Sequence, residues 1–174
     1  MANDKNADPN VSINTNSGYN RVRVSNYTSS PVIREAYVVT GNSILPGAVA
    51  KLGTSGEKGY TLTALVAEDA GKNGNYVIVD SNKDFNEGLE TPVVEGNSVE
   101  TYAIGSVFGE TFFVPVKNGV DITRGAELTV DAGGVFRPAV ANEIVIAVAD
   151  GSIADASVDG SRRVKVILNP SYVK

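Results

Sequence analysis

The choice of aliphatic residues constrains the fold of this chain more than any other feature of its sequence. The chain has 26 valines and 10 isoleucines against 7 leucines. Branching at Cβ suits the pleated, half-buried surface of a β-sheet and restricts side-chain rotamers in a helix, whereas leucine dominates helical cores. The ratio therefore predicts an all-β protein.

Turn-favouring residues divide the chain into short segments of regular length. Glycine, proline and asparagine together make up 41 of the 174 residues, and each favours a turn for its own conformational reason. A helical turn fits residues 64–70 only, because no longer helical repeat is present. The pattern predicts a compact β-barrel or β-sandwich, with a β-tulip or an SH3-like barrel among the barrel types. The predicted strands are residues 21–25, 32–40, 76–79, 99–104, 111–116, 127–130, 135–139, 144–149 and 162–168, with a hairpin formed by residues 44–52 and 60–65.

The N-terminal segment differs in composition from the rest of the chain. Residues 1–20 contain six asparagines and only two large aliphatic side chains, Val11 and Ile13. Such a segment cannot by itself bury enough apolar surface to offset the entropy lost on ordering. We therefore predict an extended N-terminal arm with the first strand in residues 1–35, followed by a single β domain in residues 36–174.

Missing residue types exclude most catalytic chemistry. The chain has no cysteine, histidine or tryptophan, which excludes thiol nucleophiles, disulfides, histidine-dependent triads and the usual zinc and haem sites. Glycine-rich phosphate loops and the nucleophile-elbow motif are also absent from the sequence. We expect a protein with no enzymatic activity, no cofactor and no bound metal, in which carboxylates are the main remaining route to catalysis.

The charge balance bears on the partners that the chain can bind. The formal net charge is −5 and the isoelectric point is near 4.8, which argues against nucleic acid and anionic lipid as partners. No apolar run reaches the length of about 18 residues that indicates a membrane span. The polar N-terminus has no apolar core of a secretory signal, so synthesis in a cytoplasm is expected.

Oxygen-bearing side chains are concentrated in the loop from Asp80 to Glu90. They alternate as in a calcium loop, but Phe85 and Thr91 occupy the positions where an EF-hand requires glycine and glutamate. We therefore interpret the segment as a solvated acidic turn, with a cation-binding loop as the alternative. The carboxylates at positions 84, 87, 90, 95 and 100 also fail to indicate a glycosidase pair, because the chain has no tryptophan for a sugar-binding cleft.

Arginines and tyrosines near the two ends of the sequence are the candidates for contact with a partner. Both residue types are favoured at protein interfaces, where the arginine fork binds carboxylates. The alternative, that these charges protect an edge strand from unwanted pairing, remains equally open. With the two apolar residues of the arm, the candidate contact residues are Val11, Ile13, Tyr19, Arg21, Arg23, Tyr27, Arg34, Arg162 and Arg163.

A short internal similarity relates two distant parts of the sequence. Residues 45–52 (LPGAVAKL) align with residues 123–130 (TRGAELTV), and each segment has a Gly-Ala pair before a predicted strand. Glycine at this point lets the chain turn sharply into the strand, where a Cβ would clash. Two interpretations stay open, a duplicated barrel element and the chance recurrence of hairpin chemistry.

Several turn-and-strand segments resemble the head decoration, or cement, proteins of tailed bacteriophages. The resemblance rests on residues 45–49, 80–88, 122–139, 147–150 and 164–168. It implies a β-rich, often oligomeric module that binds the outer surface of the assembled capsid of the virion and stabilises the head. The implied partners are the major capsid protein and neighbouring copies of the chain, in a dimer or a trimer, after synthesis in the bacterial cytoplasm. The family has no fixed contact motif, so no contact residue carries over.

These observations predict a structural virion protein whose arm takes part in binding. An extended segment can add a strand to a neighbour's sheet, where backbone hydrogen bonds supply the affinity. We expect residues 11–27 to become ordered on binding a capsid subunit or a sibling copy. The alternative function is that of another phage surface module, such as a tail or fibre component that binds carbohydrate through exposed tyrosine and asparagine.

Overall fold

The computed structural model describes residues 22, 33–39, 41–55, 59–80, 89–154 and 162–174. These residues form twelve strands and three 3₁₀ turns at Ala67–Asp69, Ile104–Ser106 and Ala132–Gly134, without an α-helix, so the predicted all-β class is confirmed. Within these ranges no helix has the length and apolarity needed to cross a membrane. The strands are β1 (Ile33–Val38), β2 (Ser43–Ile44), β3 (Val49–Ser55), β4 (Gly59–Ala64), β5 (Tyr76–Val79), β6 (Val93–Val94), β7 (Ser98–Ala103), β8 (Thr111–Pro115), β9 (Glu127–Val130), β10 (Phe136–Pro138), β11 (Ile144–Ala149) and β12 (Arg163–Val173).

Five strands from the first half of the chain close into a barrel. Their order is β1–β4–β3–β5–β7, and β7 pairs back onto β1. Every pair is antiparallel except β1 with β4. Because side chains alternate between the two faces of a strand, every second residue points into the barrel. We call residues 33–103 the first unit. Its interior includes Ala36, Val38, Ala50, Leu52, Leu62, Val77 and Val99.

The remaining five strands form a second sheet, in the order β10–β9–β11–β12–β8. A single parallel bridge between Val116 and Phe136 brings its two ends together. The Lys117 N–H also donates to the Phe136 carbonyl, at 2.9 Å. We call residues 111–173 the second unit. It is a barrel of the same kind, closed by a bridge where the first unit has a three-residue parallel ladder.

The two units repeat one arrangement of strands. In pairing and direction, β1, β3, β4, β5 and β7 correspond to β8, β9, β10, β11 and β12. The parallel pair Val38–Leu62 of the first unit corresponds to the bridge Val116–Phe136 of the second. The short antiparallel ladder of β2 and β6 likewise corresponds to an isolated antiparallel bridge between Ile122 and Ile153.

The internal similarity seen in the sequence falls at the same place in both units. Gly47 and Gly125 adopt positive φ angles of 80° and 86°, a backbone conformation that favours glycine. Their N–H groups donate to the last residues of β5 and β11, Val79 and Ala149, at 2.7 and 2.8 Å. In both units the following alanine donates three residues back, at 3.0 Å. The correspondence extends well beyond one hairpin and favours the duplicated-element interpretation.

The main hydrophobic core lies between the two units and inside the second. Val49, Ile78 and Tyr102 stand in register on the outward face of the first barrel and join the core of the second unit. The rings of Tyr102 and Phe112 meet edge to face, with centroids 5.4 Å apart. Gly134 packs against the Val49 backbone so closely that an added Cβ would lie 1.9 Å from its carbonyl oxygen. This contact therefore requires glycine.

The predicted strands agree with the structure in most of the described chain. The hairpin of residues 44–52 and 60–65 is the β3–β4 pair, and the predicted helical turn is the 3₁₀ turn Ala67–Asp69. Strands β2 and β6 were not predicted, because two residues are too few to show an alternation. Strand β1 begins at Ile33, ahead of the expected boundary at residue 36. Of the predicted arm, residues 22 and 33–35 are described; the other residues of the arm, including the rest of the strand at residues 21–25, lie outside the described residues.

Candidate partner-binding surfaces

Three of the nine predicted contact residues lie in the described part of the chain. These are Arg34, Arg162 and Arg163. The other six, at positions 11, 13, 19, 21, 23 and 27, lie outside it, so their role stays a prediction. The three described arginines do not form one surface: Arg34 lies in the first unit, and the other two lie at the start of β12 in the second unit.

Arg34 packs on an aromatic ring of the neighbouring strand. Its guanidinium carbon lies 4.7 Å from the centre of the Tyr60 ring, a distance at which the cation is attracted to the π face. Its carbonyl accepts a hydrogen bond from the Thr101 hydroxyl at 2.8 Å. Because β1 and β4 are the parallel pair that closes the first barrel, Arg34 supports this closure while remaining half-buried.

Arg162 is buried inside the second unit. Its side chain donates to the carbonyls of Lys117 and Val120 at 3.0 and 2.6 Å, and the residue is only 6% exposed. These bonds fix the turn that follows β8. The prediction that Arg162 contacts a partner protein therefore needs correction. Buried polar groups are hydrogen-bonded, and this guanidinium is hydrogen-bonded to backbone carbonyls of its own chain.

Arg163 is buried at the junction between the two units. It donates to the carbonyls of Pro46, at 2.7 Å, and Leu89, and its Nε donates to Glu90 Oε1 at 3.0 Å. All three acceptors belong to the first unit, and the residue is 2% exposed. Burial lowers the pKa of Arg163, and the Glu90 carboxylate partly offsets this effect. Here too the predicted partner contact is a contact within the chain, one that joins the two units.

A groove of about 210 Å³ opens beside these two arginines. Pro115, Val116 and Lys117 form one side, and Leu45 and Glu90 of the first unit form the other. The guanidinium groups stabilise its walls by bonding to backbone carbonyls. The groove lies at the junction of the two units and is lined by both apolar and charged side chains.

Val22 is the described residue that connects the N-terminal segment to the fold. Its side chain is fully buried in the main core. Its carbonyl accepts a 2.7 Å hydrogen bond from the N–H of Phe113, in the middle of β8. The alternation at residues 21–25 predicted a paired segment here, and β8 provides the hydrogen-bond partner of Val22.

Acidic side chains in the second unit form an ion-pair network around Arg137. This arginine binds Glu143 through both terminal nitrogens, at 2.6 and 2.7 Å, and Asp131 through Nε at 2.8 Å. Burial alone would raise the pKa of Asp131, but hydrogen bonds from Lys117, the Ala132 N–H and Arg137 outweigh it and lower this pKa to about 2. The same arginine lowers the pKa of Glu143. Both carboxylates are therefore ionised near neutral pH, whereas a general acid needs a raised pKa.

The described ranges contain no group of three or more acidic side chains placed to hold a metal ion. Residues 81–88 of the acidic loop lie outside them, so the cation-binding alternative stays untested. Glu90 pairs with Arg163, and Glu95 Oε2 accepts from the Gly41 N–H at 2.5 Å.

One exposed sheet face was missed in the sequence. Glu35 and Tyr37 of β1 stand directly opposite Glu100 and Ser98 of β7, and Tyr37 is 38% exposed. We call these four residues the outer face of the first unit. The available signal was the alternation of Glu35 and Tyr37 with Ala36 and Val38, which point into the barrel.

Comparison with known proteins gives a likeness in fold. No protein-family model matches the chain, and no curated protein sequence matches it either. Among solved structures, the N-terminal base of the head fiber protein gp8.5 from bacteriophage phi29 has a similar fold, with a TM-score of 0.54. The likeness covers 83% of this chain and 99% of the phage chain at 14% sequence identity. The fold of this chain is thus similar to that of the phi29 fiber base over most of both chains.

Proposed function

We propose that this chain is a structural protein of a bacteriophage head that attaches to the outside of the capsid shell. The observation that carries the proposal is the fold likeness to the phi29 head fiber base, which extends over 99% of that chain. The likeness agrees with the resemblance to head decoration proteins drawn from the sequence. The partner is the major capsid protein, and attachment stabilises the shell.

The chemistry of the described surface supports a passive role. The buried arginines bind carbonyls within the chain, and Arg137 holds Asp131 and Glu143 in an ionised network. An attached capsid protein needs a rigid scaffold and an extended binding segment rather than a reactive pocket. The Val22 carbonyl accepts a hydrogen bond from the Phe113 N–H of β8, and the predicted N-terminal arm is the segment that binds the capsid.

A second candidate function is that of a fibre base, a module that carries further fibre segments or binds carbohydrate. The description of the phi29 structure as a fiber base favours this candidate specifically. Its carbohydrate-binding form requires exposed aromatic side chains that can stack on sugars, and Tyr37 and Tyr172 are 38% and 42% exposed. A glycan array separates the two functions, because selective sugar binding is expected only from a carbohydrate-binding module.

Co-sedimentation with emptied, expanded heads tests the attachment directly. The heads come from the phage that encodes the chain, stripped of their surface proteins, and the chain is compared with a variant that lacks residues 2–20. Both contain Val22, so the core residue is kept. We expect saturable binding of the full chain and at least a tenfold loss of affinity, or roughly 1.4 kcal/mol, in the variant. Equal affinities would contradict the role of the arm, and absence of binding by the full chain would contradict the proposed function.

A further inference from the structure

The two units of one chain meet through unlike surfaces. The turn at residues 46–47 of the first unit lies over the outward face of β8 and β12 in the second unit. A Cβ added to Gly47 would be 2.6 Å from the Phe113 carbonyl oxygen and 3.3 Å from Pro115 Cδ. Arg163 also donates to the Pro46 carbonyl, at 2.7 Å. The contact is therefore heterologous, a turn of one unit against a sheet face of the other.

The internal repeat places a copy of each surface elsewhere on the molecule, and both copies are exposed. The equivalent of the β8–β12 face is the outer face of the first unit, where Tyr37 and Ser98 pair as Pro115 and Arg163 do. The equivalent of the turn at residues 46–47 is the turn at residues 124–125, which is exposed throughout. Each chain thus presents one open sheet face and one open turn of the kinds that already contact each other inside it.

We propose that the turn at residues 123–125 of a second copy of this chain docks on the outer face of the first unit. Continuity with the contact between the two units of one chain fixes the occupant, because the open turn repeats the one that is already seated on a sheet face. The charges of the two surfaces are opposite in sign. Arg124 has a side chain that is 57% exposed and pairs with Asp150 at 3.0 Å within its own chain. On docking, Glu35 of the receiving face, which is exposed, becomes a further acidic partner for Arg124.

The heterologous geometry restricts the oligomers that can form. A contact between two different patches closes a two-fold dimer only when it is reciprocal, so that each copy seats its turn on the face of the other. Any other rotation that closes gives a ring of three or more copies, and a rotation that does not close gives a filament.

The absence of cysteine allows a direct test by disulfide trapping. Full-length Tyr37→Cys is mixed with full-length Thr123→Cys under mild oxidation, and disulfide-linked heterodimers are measured by mass. The control mixture replaces Thr123→Cys by Lys72→Cys, since Lys72 is also exposed. We expect the first mixture to form heterodimer several-fold faster than the control. Equal rates in the two mixtures would overturn the proposal.

Charge reversal provides a second, independent measurement. Glu35→Arg and Arg124→Glu should each slow the trapping reaction, and the two reversals placed on opposite partners should restore it, because the ion pair is then re-formed with exchanged signs. Both positions are exposed, and unchanged unfolding midpoints confirm that the variants are folded. Failure of the exchanged pair to recover would overturn the proposed charge pairing. The experiment takes place in solution, so its outcome is independent of binding to heads.

Discussion

The first and second units follow the same strand order, yet equivalent positions have different tasks. Ser98 begins β7 and Arg163 begins β12, and each pairs with the last part of the strand beside it. Ser98 is half-buried beside the exposed Tyr37, and no turn within the described residues is seated on it, so a small polar side chain is sufficient there. The outer face at Arg163 is covered by the first unit, and the arginine satisfies two backbone carbonyls that the contact buries. The contact made by a sheet face, rather than its strand order, therefore decides which residue it needs.

Closure of the barrel differs between the units in the same way. Three parallel residue pairs close the first unit between β1 and β4. One bridge closes the second unit. On β8, the Phe113 N–H donates a hydrogen bond to the Val22 carbonyl. The second unit therefore depends on residues from outside its own sequence range, both from the first unit and from the N-terminal segment. The predictions below test this dependence.

The largest effect is expected at the closest approach of the two units. In Gly134→Ala, the new Cβ would collide with the Val49 backbone, so we expect a loss of about 4 kcal/mol or more in unfolding free energy. Gly133→Ala is the matched control, because Gly133 has the same φ of 74° and open space around it. It should cost about 1 kcal/mol, the strain of alanine in the left-handed region. Denaturant unfolding measures both, and equal losses would contradict the close packing of the units.

Arg163→Met should give the second largest effect. The substitution leaves the carbonyls of Pro46 and Leu89 buried without this donor and leaves Glu90 without its cation. We expect the free energy of unfolding to fall by about 3 kcal/mol. The equivalent change in the first unit, Ser98→Ala, should alter it by less than about 0.5 kcal/mol, because Ser98 is half-buried and its change removes only one hydroxyl. Similar losses of unfolding free energy in Arg163→Met and Ser98→Ala would contradict the claim that these equivalent positions differ in their contacts.

Val22→Ala tests whether the N-terminal segment belongs to the second unit. Truncation of this buried side chain leaves a cavity in the main core, and we expect a loss of about 2 kcal/mol. Val11→Ala is the same chemical change within the predicted arm and should leave the stability of the free protein unchanged. Thermal unfolding of both variants measures the difference. No loss in Val22→Ala would mean that the second unit is closed without the segment.

The smallest effect is an acid dependence confined to the second unit. The folded pKa of Asp131 is about 2, below its ordinary value of 3.8, so its carboxylate stabilises the fold above about pH 4. This contribution falls as the pH drops from about 4 and is gone once the pH has passed below the folded pKa. Asp131→Asn should therefore lose less stability than the unsubstituted chain between pH 4 and pH 2. Parallel pH profiles for the two proteins would contradict the ion-pair network.

The sequence predicted the parts of this fold that depend on local alternation and turns. Strand β5 was predicted with the bounds that the structure shows. The hairpin of β3 and β4 was also predicted, but β3 begins at Val49, five residues after the predicted start. The burial of Arg162 and Arg163 could not be predicted, because it results from contacts between residues far apart in the chain. Arg162 binds the turn after β8, and Arg163 binds carbonyls of the first unit. The outer face of the first unit was missed for a related reason: whether other parts of the chain cover a sheet face is decided by tertiary packing and not by the local alternation. The Gly-Ala similarity pointed to the repeat, and the hydrogen bonds of both units were needed to establish it.

Cryo-electron microscopy of the native phage particle tests the central claim, attachment to the outside of the head, most directly. We predict density for a module of two joined barrels on the outer surface of the capsid shell, with the end at Val22 directed toward a capsid subunit. Density for the chain inside the shell, or on the tail alone, would contradict the proposed function.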